Sequence, residues 1–291
     1  MNVIEVKDLT KTYGAIKALD AITFSIPDGV ILGVIGPNGA GKTTLIRILS
    51  CLLSYDSGTV RLFGMEVKRC GNKIKRKIAI LPQEVRAHFY TLTPFEYVYH
   101  YLRMRGLSRN EAKNRANRAM EKFGIEYHNR IMSTLSGGMV RKTLLAMVLS
   151  ANAELYFLDE PTVGLDVESR LKLWEVLRER AEDSTIILTS HYLNEISTVS
   201  DLVLLLKNKV LAFGPPEEIA KRYLSDFVSK LVVFGDFGGE FISKKAGRNT
   251  ILYFRSKAEE REAITLLEEL GIPFRREELT IEDVFLVGEL E

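Results

Sequence analysis

The chain has 291 residues, 46% of them hydrophobic, and 40 basic side chains against 38 acidic ones leave a net charge of +2. That apolar content excludes global disorder, and the near-balanced charge excludes a nucleic-acid scaffold or an acidic tail. The two cysteines, Cys51 and Cys70, lack CxxC spacing, which excludes a disulfide framework and a structural zinc site and points to a reducing compartment.

The first seven residues alternate like a strand and lack the basic-then-apolar order of a signal peptide. No apolar run approaches the roughly 20 residues that cross a bilayer. The chain therefore reads as soluble and cytoplasmic, and any membrane role would need a second polypeptide. Residues 30–35 form a short, continuously apolar run, the pattern of a strand buried on both faces. Gly36-Pro37-Asn38-Gly39-Ala40-Gly41-Lys42-Thr43-Thr44 follows, and residues 44–49 begin a helical pattern.

Gly36, Gly41, Lys42 and Thr43 fit G-x-x-x-x-G-K-[ST] in the strand–loop–helix context that a phosphate-binding loop requires. The glycines let backbone N–H groups turn inward around phosphates, helped by the positive end of the next helix. Lys42 can reach the β- and γ-phosphates, and the Thr43 hydroxyl can bind Mg²⁺. A chance match in a chain of this length is on the order of one in a hundred before that context is counted. The sequence thus predicts binding of ATP with Mg²⁺.

A basic run, Lys68-Arg69 and then residues 73–77, reads as a solvated face. Residues 88–101 are dense in aromatics, which suits either the core of a helical lobe or a docking groove, spanning residues 85–101, for a short helix of a membrane partner. From about residue 93 to 150 the pattern is helical and poor in strands, as in a lobe inserted between strands. Residues 155–158 form a second buried-strand run and end in Asp159-Glu160-Pro161. Asp159 is placed to hold Mg²⁺, and Glu160 to polarise an attacking water. An amphipathic helix over 169–182 and a third buried strand over 185–188 complete an alternating, mostly parallel α/β pattern.

Gly214-Pro215-Pro216 breaks the chain, and residues 217–225 read as a connecting helix. Beyond Asp226 the periodicity gives strands over 230–234, 250–254 and 272–277 and a helix over 257–270, a small α+β appendage.

The sequence resembles the ATP-binding subunit of an ATP-binding cassette (ABC) transporter over about residues 1–215, with motifs in that family's order. Besides the phosphate loop and the Asp159-Glu160 pair, Tyr13 matches the aromatic that stacks on adenine. Gln83 in Leu81-Pro82-Gln83-Glu84 matches the glutamine that links the γ-phosphate and Mg²⁺ to the helical lobe. Leu135-Ser136-Gly137-Gly138-Met139 looks like the family signature, Gly164-Leu165-Asp166 like the loop crossing between paired subunits, and Ser190-His191 carries the histidine that contacts the γ-phosphate. Singly, each has an ordinary structural reading; their shared order makes coincidence negligible.

The resemblance implies a P-loop NTPase fold: an ABC-type α/β core with a RecA-like parallel sheet and an antiparallel β subdomain, an inserted helical lobe and the C-terminal appendage. The ATPase domain is expected over 1–218, its helical subdomain over about 88–150, and the accessory domain over 226–291. Catalysis would fall to Glu160, His191, Lys42 and Gln83, and Mg²⁺ to Thr43, Gln83 and Asp159. Ser136, Gly137 and Gly138 precede a helix over 139–150 and offer a hydroxyl, free N–H groups and a helix N-terminus to an anion. In the family that second helix end completes the ATP site of another subunit. The expected partners are therefore a second copy or a related cassette, paired head to tail, and a separate transmembrane permease on whose cytoplasmic face the chain would sit; no nucleic acid is expected. Met139 departs from the more common glutamine. Gly-Gly-Met followed by Arg141-Lys142, and the tail Leu279-Thr280-Ile281-Glu282-Asp283-Val284-Phe285, resemble exporter cassettes of the drug-resistance type. A cassette ATPase acting on DNA or ribosomes, or a nucleotide sensor that moves nothing, are the competing functions; the first usually carries long insertions, zinc modules or a fused second cassette, which this chain lacks.

Overall fold

A computed structural model of the chain describes residues 2–83, 91–190, 193–237, 241–281 and 283–284. It divides into two compact units, Met1–Phe213 and Gly214–Glu291.

The first unit opens with β1 (Asn2–Tyr13) and β2 (Ile16–Pro27), a hairpin turning through Gly14. Their alternating burial packs Ile4, Leu9, Ile22 and Ile26 on one face. With β4 (Ser57–Leu62) and β5 (Met65–Glu66) they form an antiparallel sheet in the order β2-β1-β4-β5. β3 (Ile31–Ile35) is buried at every residue, because it is hydrogen-bonded in parallel to a strand on each side. The second sheet runs β10-β9-β3-β8-β7-β6, from β6 (Ile78–Leu81), β7 (Leu155–Asp159), β8 (Thr185–Ser190), β9 (Leu202–Lys207) and β10 (Lys209–Gly214). The strands from β9 to β6 are all parallel.

That order sets function. In an open parallel sheet, ligands bind outside the carboxyl ends of the strands. β3, β6, β7 and β8 bring Gly36, Gln83, Asp159-Glu160 and Ser190 to the same edge. α1 (Lys42–Leu49) follows the phosphate loop, and α6 (Val167–Ala181) follows β7. α6 begins two residues before the sequence pattern suggests, because the Asp166 carboxylate caps it by accepting from the Ser169 N–H at 2.7 Å.

Between β6 and β7 lie only helices among the described residues: α3 (Pro94–Met104), α4 (Arg109–Lys122), a 3₁₀ turn at Met132–Thr134 and α5 (Gly137–Leu149). Capping boxes start α3 and α4: Thr93 with Glu96, and Ser108 with Glu111, satisfy each other's backbone N–H groups. Tyr97 and Val98 are buried in the lobe, while Phe95 stacks on Tyr99 at 6.2 Å on the half-exposed face. Residues 85–90 of the aromatic stretch lie outside the described residues. The basic run lies on α2 (Val67–Lys77), which buries only Val67 and Ile74 and leaves Lys68, Arg69 and Lys73 in solvent.

In the second unit, α8 (Pro216–Tyr223) leads into a sheet in the order β12-β13-β11-β14. The strands β11 (Ser229–Val233), β12 (Ile242–Ala246), β13 (Asn249–Phe254) and β14 (Phe274–Glu277) are antiparallel throughout. α9 (Lys257–Glu269) buries Ala263 and Leu267 with Leu231, Leu252 and Phe254. The sequence pattern gives three strands here; the structure adds β12. Inside the sheet, Lys230 is buried and paired with buried Asp283 at 2.8 Å, and the Tyr253 hydroxyl donates to the same carboxylate at 2.7 Å.

Candidate active site

The phosphate loop links β3 to α1, and two of its glycines are required by space, Gly41 by torsion as well. A Cβ on Gly36 would stand 2.0 Å from the Leu206 carbonyl oxygen, and one on Gly41 (φ +96°) 2.4 Å from that of Ala18. Lys42 folds back over the loop: its ammonium donates to the carbonyls of Gly36 at 2.7 Å and Pro37 at 3.1 Å. Burial lowers the pKa of Lys42, and the negative charges of Glu160 and Asp159 oppose that shift. The lysine is thus held where phosphate oxygens would replace the carbonyls.

A cavity of about 290 Å³ opens over this loop, walled by Tyr13, Asn38, Gly39, Lys42, Thr43, Thr44, Gln83 and Glu160 among others. Residues far apart in sequence therefore converge. Tyr13 is 47% exposed, with the Lys11 ammonium 5.5 Å from its ring centroid. A larger hollow of about 680 Å³ runs from Cys51 to Lys73, but it contains no carboxylate and no phosphate loop, so the smaller cavity is the candidate site.

Asp159 is not part of that wall; it is only 2% exposed. Thr189, its neighbour on β8 in the sheet register, organises the pair. The Thr189 hydroxyl donates to Asp159 Oδ1 at 2.6 Å and accepts from the Glu160 N–H at 2.9 Å. Glu160 is 5% exposed and takes a left-handed φ of +50°, a conformation that a residue with a Cβ holds only when its surroundings enforce it. Arg141, on α5, supplies part of that enforcement, because one of its nitrogens donates to the Asp159 carbonyl at 2.8 Å and to the Glu160 carbonyl at 2.7 Å.

Ser136, Gly137, Gly138 and Asp166 do not line the cavity. Ser136 is the N-cap of α5 and accepts from the Met139 N–H at 3.3 Å; it and Gly137 are exposed. Gly138 must be glycine because a Cβ would stand 2.5 Å from the Gly164 carbonyl oxygen, whereas nothing lies within 4 Å of a Cβ on Gly137. The signature and the 164–166 loop are therefore packed together as one exposed surface. His191 lies outside the described residues. The contacts of Thr189 and Arg141 escaped the sequence reading: threonine in a β-branched strand carries no signal, and Arg141 entered only as one of the basic residues after Gly-Gly-Met that resemble exporter cassettes.

Thr43 and Gln83 in the wall and buried Asp159 beside it carry hard oxygen donors, the kind that Mg²⁺ takes; among the described residues no cluster of three or more His, Cys, Asp or Glu exists. Mg²⁺ commonly takes one carboxylate together with substrate phosphate and water.

A family model described as ABC transporter matches residues 19–163. The linearmycin resistance ATP-binding protein LnrL of Bacillus subtilis (strain 168) is 35% identical over 235 residues, 80% of this chain and 75% of that protein. The daunorubicin/doxorubicin resistance ATP-binding protein DrrA of Streptomyces peucetius is 35% identical over 219 residues, 74% of this chain and 66% of that one. Among solved structures, a dimeric post-hydrolysis state of an ATP-binding cassette bound to ADP and phosphate superposes with a TM-score of 0.66. It is 26% identical and covers 73% of this chain and 98% of that one. With its phosphate loop, carboxylate pair and glutamine converging on one sheet edge, the chain belongs to the ABC transporter family, as an ATP-binding and ATP-hydrolysing subunit.

Proposed function

We propose that the chain works on the cytoplasmic face of a membrane as one of a head-to-tail pair of cassettes, powering export through a separate transmembrane subunit. The observation that carries the pairing is the division of the nucleotide-binding groups. The cavity over the phosphate loop holds Tyr13, Lys42, Thr43, Gln83 and Glu160, whereas the Ser136–Gly138 helix start is exposed elsewhere on the chain. Val163, Val167 and Leu171, on either side of the 164–166 loop, are 47%, 64% and 60% exposed, apolar surface that a partner would cover. Among the described residues no helix is long and apolar enough to cross a membrane, so a substrate path needs another polypeptide. Similarity to two resistance ATP-binding proteins, together with Gly-Gly-Met and the tail at 279–285, supports export. Half-exposed Phe95 and Tyr99 on α3 are candidates for contact with the membrane subunit.

Residues 1–218 act as the ATPase domain, with the helical subdomain over about 88–150, and 226–291 as an accessory domain. Tyr13 stacks on the adenine, and the backbone N–H groups of residues 38–44 cradle the phosphates, with Lys42 leaving its carbonyl partners for the β- and γ-oxygens. Mg²⁺, held by Thr43, Gln83 and Asp159, would neutralise phosphate charge when bound. Glu160 accepts a hydrogen bond from the attacking water and aligns it, while Lys42 and His191 stabilise charge on the transferred group. Ser136, Gly137 and Gly138 present N–H groups to the γ-phosphate of the opposite site, and Asp166 orders the crossing loop.

Replacing Glu160 with Gln removes the polarising carboxylate without changing shape. The variant is expected to bind ATP as tightly as the parent chain and to lose turnover by at least about 100-fold, in the range seen when a general base is removed. Unchanged hydrolysis would refute the assignment. Purification in mild detergent with mass spectrometry of co-purifying proteins tests the membrane partner; recovery without any integral membrane protein would count against it.

A further inference from the structure

Arg141 is 8% exposed, in the second turn of the helix that begins at Ser136. One terminal nitrogen donates to the carbonyls of Pro82 at 3.1 Å and Gln83 at 3.2 Å. The other donates to the carbonyls of Asp159 at 2.8 Å and Glu160 at 2.7 Å. A guanidinium is a rigid planar fork, so the loop after β6 and the loop after β7 are held at a fixed separation by one group. Burial lowers the pKa of Arg141, with Asp159 and Glu160 acting in the opposite direction. Burying a cation is costly unless it is well paired, so an arginine that serves only packing is a poor choice here.

What it holds is telling. Glu160 stands at φ +50°, with its N–H tied to Thr189 and its carbonyl accepting from Arg141 and, at 3.3 Å, from the Val163 N–H. Without Arg141 the carbonyl keeps only the longer of these bonds, which weakens the hold on the left-handed backbone that places Glu160 at the cavity. The same guanidinium fixes the main chain of Gln83, whose side chain faces the cavity. Both of these groups are expected to meet the γ-phosphate end of ATP, and neither carries the phosphate loop's binding energy.

We infer that Arg141 is a positioning residue for hydrolysis. Through the backbone of Gln83 and Glu160 it sets where the water-polarising carboxylate and the glutamine stand. Because it rides on the helix whose N-terminus is offered to the second ATP, engagement of that helix by one nucleotide orders the hydrolytic groups around the other. This rests on the paired-site reading above.

The test measures kcat, KM and single-subunit ATP affinity for Arg141→Met, which keeps the volume and removes the donors, and for Arg141→Lys, which keeps the charge without the fork. Thermal unfolding of each fixes a temperature at which all are folded. Arg141→Met is expected to keep ATP affinity and KM within about twofold while kcat falls about 10- to 100-fold, the scale of an ångström-level misplacement. Arg141→Lys should fall between it and the parent; if Arg141→Met does not fold, the same split read from Arg141→Lys decides. Combined with Ser136→Ala, the loss in kcat should be smaller than the product of the single losses, as for residues acting in one chain of contacts. Three results would overturn the inference: parental kcat in both arginine variants, parallel loss of ATP affinity and kcat, or losses that multiply with Ser136→Ala. Glu160→Gln serves as the control. If it is inactive while the arginine variants turn over normally, only the positioning role falls; if it is active, the assignment of Glu160 falls, and parental kcat in Ser136→Ala alone would set aside the paired-site reading instead.

Discussion

Gly39 and Gly41 stand two residues apart, both with left-handed φ, and the structure separates them. A Cβ on Gly39 meets nothing within 4 Å, while one on Gly41 meets the Ala18 carbonyl oxygen at 2.4 Å and Leu19 at 2.8 Å. Gly39→Ala should therefore cost only the torsional penalty, about 1–2 kcal/mol, and keep measurable ATP binding. Gly41→Ala adds a backbone clash that forces the loop away from β2, and should abolish binding. Nucleotide titration with urea unfolding checks the pair, and equal effects would mean that torsion alone governs the loop. At this scale the sequence was an uneven guide. The phosphate loop and the Asp159-Glu160 pair are legible because their chemistry depends on consecutive residues. Arg141 and Thr189 were not, because their roles come from carbonyls and strand neighbours that only the folded chain brings near.

Among elements, the buried strands β3, β7 and β8 were plain in sequence, since a strand covered on both faces must be apolar throughout. β12, with the sequence Ile-Ser-Lys-Lys-Ala, was not. It is half-buried or exposed at every residue and pairs with β13 alone, so its lysines suit an edge strand and erase the alternation that would mark it. Lys230 on β11 reads as an ordinary surface lysine; the fold buries it against Asp283, with Glu277 at 3.8 Å as a weaker second partner. Removing one member of a buried pair strands the other charge, at a cost of about 3–5 kcal/mol. Asp283→Ala should destabilise the C-terminal unit by about the lower end of that range, because Glu277 remains. Lys230→Met in the same chain should restore most of the loss. Denaturant unfolding followed by hydrogen exchange in β11 and β13 checks both, and a double variant no more stable than Asp283→Ala would contradict the account.

For the whole molecule, the central claim is that one chain holds a nucleotide but only part of the machinery to hydrolyse it. The cavity gathers groups from β1, the phosphate loop and the ends of β6 and β7. Ser136 and Gly137 stay exposed, and Gly138 rests on Gly164. The proposed sharing of sites could be read from the motifs only through family resemblance, since a linear sequence gives two glycine-rich helix starts without saying whether they would serve one nucleotide or two. The most direct test is sedimentation of the Glu160→Gln chain, which should trap the ATP-bound state, with and without ATP and Mg²⁺. A monomer without nucleotide that becomes a dimer with ATP, and fails to do so when Ser136→Ala and Gly137→Ala are added, is the predicted result. A chain that binds ATP fully yet remains monomeric up to high concentration would contradict the shared-site account.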